Sequence, residues 1–158
     1  LQGRCVAVTT DRSQLAAKRT GFPNPSAHVL LPDVLSKEPL APATVNGDPL
    51  WSDAVRWTIY ALMQAEELGI TQANVDAKVA MAKANANQAD LRRFLGIEGD
   101  FGKQLGLSPD FVVKAIKAVG NYGEVFERNV GSGSVLKLER GLNRSWQQGG
   151  LMYSPPFR

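Results

Sequence analysis

The chain offers few groups that could do chemistry, and each can be tested against the spacing its chemistry needs. His28 is the single histidine and Cys5 the single cysteine. Neither has a companion at metal-ligand spacing, so no metal site is expected from them. A nucleophilic Cys5 or serine would need His28 beside it, yet no strand-to-helix elbow of the G-x-S-x-G kind is present. Nothing near Cys5 would hold its thiol as a thiolate, and the apolar run around it makes it read as a small core residue. His28 reads as a loop or strand-edge residue. Gly131-Ser132-Gly133 is too short to cradle a dinucleotide, and no Lys-Ser/Thr follows to make a phosphate loop, so a flexible connection is expected. Glu66 and Glu67 would point in different directions on a helix. Glu98 and Asp100 stand among glycines. All four acids read as solvated rather than as a general acid–base pair. Trp51, Trp57 and Trp146 could stack on a ligand, but packing is the expectation for each, with Trp51 on the apolar stripe of its helix. Asn143-Arg144-Ser145 has the form of a glycosylation sequon.

Asp11 stands apart. It lies where an apolar run ends and a helical segment begins, and strand ends in α/β sheets face ligand crevices. A carboxylate there can accept a charge-assisted hydrogen bond from an ammonium group. It can equally accept from the free N–H groups of the following helix as a plain cap. Local sequence alone favours the cap.

The elements that must position these residues follow from composition and pattern. With 158 residues, 44% hydrophobic and 21% charged, the chain can bury the core of one ordinary domain. The net charge is +3 and the basic residues are scattered. Lys137, Arg140 and Arg144 could share a helix face, read as solvated, and no aromatic-interleaved basic stripe accompanies them, so nucleic acid is not an expected partner. No apolar run reaches the ~18 residues of a membrane-spanning helix. No signal peptide or initiator methionine opens the sequence, so a processed product or a fragment is expected. One cysteine excludes an internal disulfide and leaves the compartment open.

Cys5–Thr10 and His28–Leu31, short and rich in β-branched or apolar residues, predict buried strands. A short helix over Ser13–Arg19 separates them. Gly21–Ser26 reads as loop, Pro39–Val45 as extended, and Asn46-Gly47-Asp48-Pro49 as a turn. Trp51, Ala54, Val55, Thr58, Ile59, Leu62 and Met63 then recur at helical spacing, predicting an amphipathic helix from Leu50 to Leu68 that stops at Gly69. Further helices are expected over Gln72–Ala86 with Thr71 as cap, over Asp90–Leu95, from Ser108-Pro109-Asp110 to Val119 with Pro109 at the first helical position, and over Asn121–Arg128. The fold class is therefore α/β, with few strands followed by a mostly helical tail. So short a β portion needs more sheet or a partner.

Several runs resemble a known family. Gly3-Arg4-Cys5 with Thr9-Thr10-Asp11-Arg12-Ser13 looks like the end of the second lobe of type II periplasmic solute-binding proteins of ABC transporters. Ser36-Lys37-Glu38-Pro39-Leu40 looks like the crossing back to the first lobe. Trp51–Trp57, Ala65–Gly69, Gly120–Glu124, Phe126–Gly131 and Gly141-Leu142-Asn143 are similar to the general L-amino-acid-binding branch. The resemblance covers nearly the whole chain, as the C-terminal part of a longer family sequence, and departs from it at Val6, where the family carries an aspartate. It implies a two-lobed fold with an amino acid clamped between the lobes. Residues 1–35 would end the second lobe, 36–70 would cross the hinge and return to the first, and 71–158 would form a helical extension on the first lobe. Asp11 matches the family aspartate that binds the ligand's α-ammonium group, and Thr10 the position beside it. The arginine for the ligand's carboxylate lies on sequence absent here.

The expectation is thus a non-enzymatic, amino-acid-binding subunit of an ABC importer, or part of one. It would act in the periplasm with an L-amino acid as ligand, a membrane permease as partner and no cofactor. Two other readings remain open. An enzyme on the same fold, such as a dehydratase, would reveal itself by turnover of a prephenate-like substrate. A homodimeric interaction protein, in which two partial lobes complete each other, would reveal itself by its oligomeric state.

Overall fold

The computed structural model describes residues 3–37 and 39–157. The limits at 1 and 158 and the crossing residue Glu38 lie outside the described residues. By contacts the chain divides into two units: one holds the chain up to Ala41 together with Glu127–Glu139, the other holds Pro42–Phe126 with Arg140 and the residues after it.

The larger unit is helical. Helix α2, Pro49–Glu67, starts where the turn was expected: Asp48 accepts a hydrogen bond from the Trp51 amide at 2.9 Å, and Pro49 supplies the first helical residue. It is numbered after α1, Arg12–Thr20, which belongs to the smaller unit. Ala54, Ala61, Leu62 and Ala65 form the buried stripe of α2. The helix ends at Gly69, whose φ of +62° is a conformation a side chain resists. The Gly69 amide donates to the Glu66 carbonyl and the Ile70 amide to the Ala65 carbonyl, which satisfies the last turn. Ile70, fully buried, is thereby turned into the core.

Helices α3 (Val75–Ala84), α4 (Ala89–Phe94), α5 (Phe101–Gln104) and α6 (Phe111–Val119) follow, and α7 (Tyr122–Asn129) belongs to this unit up to Phe126. α6 is the centre of the unit. It buries Phe111, Val112, Val113 and Ile116 and packs on both α2 and α3. Pro109 precedes this helix rather than opening it, and Asp110 holds the cap position. α5 forms in a stretch whose glycines, Gly99 and Gly102, count against a helix locally. Gly96, at φ +68°, is required after α4: a Cβ there would drive into the Pro109 carbonyl oxygen. α7 is opened by a reciprocal cap. The Asn121 amide donates to Glu124 Oε2 at 2.8 Å, and the Glu124 amide to Asn121 Oδ1 at 3.0 Å. Asn121, itself buried, also donates from Nδ2 to the Ile70 carbonyl at 2.9 Å, tying the end of α2 to the start of α7.

The smaller unit corrects the β portion of the expected fold. Among the described residues no strand forms, and the single bridge pair, Ser145 with Met152, belongs to the larger unit. Cys5–Thr10 and His28–Leu31 carry no ladder, and Val6, Val8, Val29 and Leu31 are exposed. The physical reason is that a strand has no hydrogen bonds of its own and needs a neighbour to supply them. Cys5 accordingly is exposed rather than in a core.

Candidate functional site

Helix α1 positions the residue singled out in the sequence. Asp11 holds its N-cap position in extended backbone, and the Leu15 amide donates to the Asp11 carbonyl at 2.9 Å. The side chain does not do what a capping aspartate does: it accepts no hydrogen bond from the helix N–H groups. Among the described residues the carboxylate has no hydrogen bond and no ion pair, and the residue is only partly exposed. Thr10 beside it is exposed, and its hydroxyl donates to Gln14 Oε1 at 3.0 Å. The two predicted site residues therefore flank the start of one helix, with a carboxylate left available next to the free N–H groups of the first turn. Such a place suits a group that donates to carboxylate.

The other candidates resolve into packing. His28 Nδ1 lies 3.0 Å from the Asn24 carbonyl oxygen, and its ring meets Phe22 at a tilt of 48°, with the ring centres 4.5 Å apart. Gly131–Gly133 is not a free connection, because the Glu127 carboxylate accepts from both the amide and the hydroxyl of Ser132. Glu98 pairs with Arg92 at 3.1 Å. Among the described residues no three metal-ligating side chains converge. The groove beside Phe157, lined also by Arg93, Glu98 and Pro109, holds no more than a water molecule. Trp57 packs edge-to-face with Tyr60, Phe101 and Phe157, as expected for a core tryptophan. Trp51 is 54% exposed, against expectation, because the turn at Asp48 places it on the outer side of the first helical turn.

Sequence reasoning missed the most highly built charge pair. Glu66, read as solvated, and Arg140, read as part of a solvated helix face, form a bidentate pair with both contacts at 3.0 Å. No helix carries Lys137, Arg140 and Arg144 together. The Arg140 guanidinium also donates to the Asn143 carbonyl at 2.7 Å and lies 5.5 Å and 5.2 Å from the ring centres of Tyr122 and Phe126. Gly123 leaves the room: a Cβ there would sit 2.9 Å from Arg140 Nη1 and 3.0 Å from Glu66 Oε1. With every polar atom of the guanidinium face committed, this pair anchors the chain after Arg140 on α2 and α7.

Tyr122 reports on that anchor. Burial pushes its phenol above the usual range near 10, while Arg140 beside it pulls the other way. The folded chain then holds this proton more tightly than the unfolded chain does. The resulting stability is present below about pH 10 and is lost as pH rises through the folded value. Tyr122→Phe is expected to flatten the decline in unfolding free energy between about pH 9 and 11, measured by urea titration at each pH. Parallel slopes for the two proteins would mean that Tyr122 titrates alike in both states.

No protein-family model matches the chain. It is 53% identical over 156 residues to the glutamate/glutamine/aspartate/asparagine-binding protein BztA of Rhodobacter capsulatus, covering 99% of this chain and 45% of that protein. It is 52% identical over 158 residues to the general L-amino acid-binding periplasmic protein AapJ of Rhizobium johnstonii, again covering 99% of this chain and 45% of the relative. A solved structure, an ABC transporter periplasmic binding protein from Brucella ovis with glutathione bound, matches with a TM-score of 0.89 and 53% identity, over 99% of this chain and 48% of that one. The chain thus spans about half the length of the relatives it matches. These relatives are named as binding proteins, not as enzymes. Over nearly its whole length the chain is thus homologous to part of the amino-acid-binding proteins of ABC transporters, and it fits their C-terminal part.

Proposed function

We propose that this chain contributes one side of the ligand site of a periplasmic amino-acid-binding subunit of an ABC importer, taking a polar L-amino acid or L-amino acids in general. The observation that carries the reading is the 53% identity, over 99% of the chain, with a protein named for binding glutamate, glutamine, aspartate and asparagine. In this reading residues 1–35 end the second lobe, 36–70 cross the hinge and return to the first, and 71–158 form the extension on the first lobe. No covalent chemistry is assigned to the chain, and its partner in transport is the membrane permease that receives the closed, loaded protein.

Asp11 has the role of receiving the ligand's α-ammonium group, with Thr10 as a second contact. The Asp11 carboxylate, unspent on its own helix, supports this. So does the chemistry common to the named ligands. Glutamate, glutamine, aspartate and asparagine differ at the side-chain end, and the γ-glutamyl residue of glutathione keeps a free α-ammonium and α-carboxylate. What all share is the amino-acid head, which a fixed carboxylate can read.

The test uses a chimera in which this chain replaces the matched segment of the Rhodobacter capsulatus relative. Isothermal titration with L-glutamate and L-glutamine is expected to show binding. Asp11→Asn should weaken it about 10–100-fold, the loss expected when a hydrogen bond to a charged group is reduced. A chimera that binds none of the common L-amino acids would end the reading, and an unchanged affinity in Asp11→Asn would end the role given to that residue.

A further inference from the structure

The turn before α2 holds two groups that can react with each other. Asn46 and Gly47 form it, and both are exposed. Asparagine followed by glycine occurs at this one place in the chain. Attack by the Gly47 amide nitrogen on the Asn46 carboxamide carbon closes a five-membered ring. Among the described residues the Gly47 amide has no hydrogen-bond acceptor, and the Asn46 carboxamide has no partner. Gly47 has a φ of +94°, and even a Cβ added there would meet nothing within 4 Å. Nothing therefore crowds the nitrogen. The other asparagines lack this combination. Asn24 precedes Pro25, which has no N–H to react. Asn74 and Asn121 hold their carboxamides on the Gly69 and Ile70 carbonyls, at 3.0 Å and 2.9 Å.

We infer that Asn46 is a modification site, where the chain converts its own side-chain amide into an isoaspartyl or aspartyl residue in water. The Gly47 nitrogen, after losing its proton to hydroxide, attacks Cγ of Asn46. The Cγ–Nδ2 bond breaks, and the amide nitrogen takes a proton from solvent and leaves as ammonia. Water then opens the ring at either carbonyl. Opening at the main-chain carbonyl leaves the backbone running through Cβ and Cγ, which is isoaspartate; opening at Cγ leaves aspartate. Nothing is oxidised or reduced. The isoaspartyl product has a structural consequence. Thr44 Oγ1 lies 2.7 Å from Ser52 Oγ, and Asp48 accepts from the Trp51 amide at 2.9 Å. The run from Val45 to Gly47 thus bridges two points fixed on the first turn of α2. One more backbone carbon between them must displace one of the two. The Asp48 cap is exposed and the Thr44–Ser52 contact partly buried, so the cap is the one that yields.

The experiment ages the folded chain in mildly alkaline buffer beside the same chain unfolded in urea, and maps the digested samples by mass spectrometry. Residue 46 is expected to change from amide to acid, mostly as isoaspartate, at a rate within about tenfold of the unfolded chain's, since an exposed turn opens at little cost. The rate should rise with hydroxide concentration. Gly47→Ala should slow it about tenfold or more, because a side chain crowds the nitrogen and resists positive φ. Asn46→Gln, which would have to close a six-membered ring, should stay an amide over the same time. In the aged protein the Trp51 amide should exchange with deuterium about tenfold faster, the loss of one cap. Asn46→Asp brings the same charge without the added carbon and should leave that exchange as in the fresh parent. A residue 46 that stays an amide in the folded chain while it converts in the unfolded one overturns the inference, as does conversion indifferent to Gly47→Ala. Conversion that leaves the Trp51 amide as protected as before keeps the site and overturns the consequence for α2.

Discussion

Replacing Arg140 with leucine is expected to lower the unfolding free energy of the larger unit by about 3–5 kcal/mol, because it strands the Glu66 carboxylate in a largely buried position. The side chains of Arg140 and Glu66 are 12% and 15% exposed. Water can therefore do little to solvate the acid once its partner is gone. An exposed pair would contribute less than about 1 kcal/mol. Three features set this pair apart from the surface bridges of the same chain. Its contacts are bidentate, its guanidinium also serves the Asn143 carbonyl, and two aromatic rings flank it. The Glu66→Leu, Arg140→Leu double variant should recover much of the loss, since an apolar pair of similar volume removes both charges together. Urea titration followed by tryptophan fluorescence measures both variants against the parent. A single-variant loss below about 1 kcal/mol would show that the pair behaves as a solvated bridge and that the chain after Arg140 is anchored by other contacts.

Phe157→Ala should cost about 3 kcal/mol, at the lower end of the range for deleting a buried aromatic ring. Phe157 is 7% exposed although it stands near the end of the described residues. Its ring meets Trp57 at 5.1 Å, Phe94 at 5.1 Å and Phe101 at 5.2 Å, all at steep interplanar angles. Edge-to-face contacts of this kind add to the area buried. The estimate is low in the range because a tail can move aside and let neighbours close part of the cavity. The near-ultraviolet circular dichroism of Trp57 is expected to weaken along with stability. Phe157→Leu should recover about half of the loss, since it restores most of the volume but none of the ring pairing. An alanine variant as stable as the parent would mean that α2, α4 and α5 hold Trp57 without the tail.

Helices α2, α6 and α7 were legible because local rules suffice for them. Asp48 and Pro49 announce a start, Gly69 a stop, and the apolar residues of α2 and α6 recur at helical spacing. α5 was hidden because glycine counts against helix locally, while the close approach of the Ser108–Pro109 backbone to Gly102 demands a residue without a side chain. The predicted strands were legible as strand-forming sequence and still did not form, since pairing is supplied by a neighbour and not by the run itself.

The candidate site divides in the same way. Sequence by itself determined that Asp11 stands at the start of a helix after an apolar run, and that the helical part follows the short apolar runs. Only the tertiary structure decided that the Asp11 carboxylate leaves its helix uncapped, that Cys5 and Trp51 are exposed, and that Glu66 and Arg140 meet across 74 residues of sequence. The reason is one of range. Caps, stops and periodicity are settled within a few residues, whereas burial and charge pairing depend on which distant segment arrives, and nothing in the spacing of Glu66 and Arg140 announces that meeting.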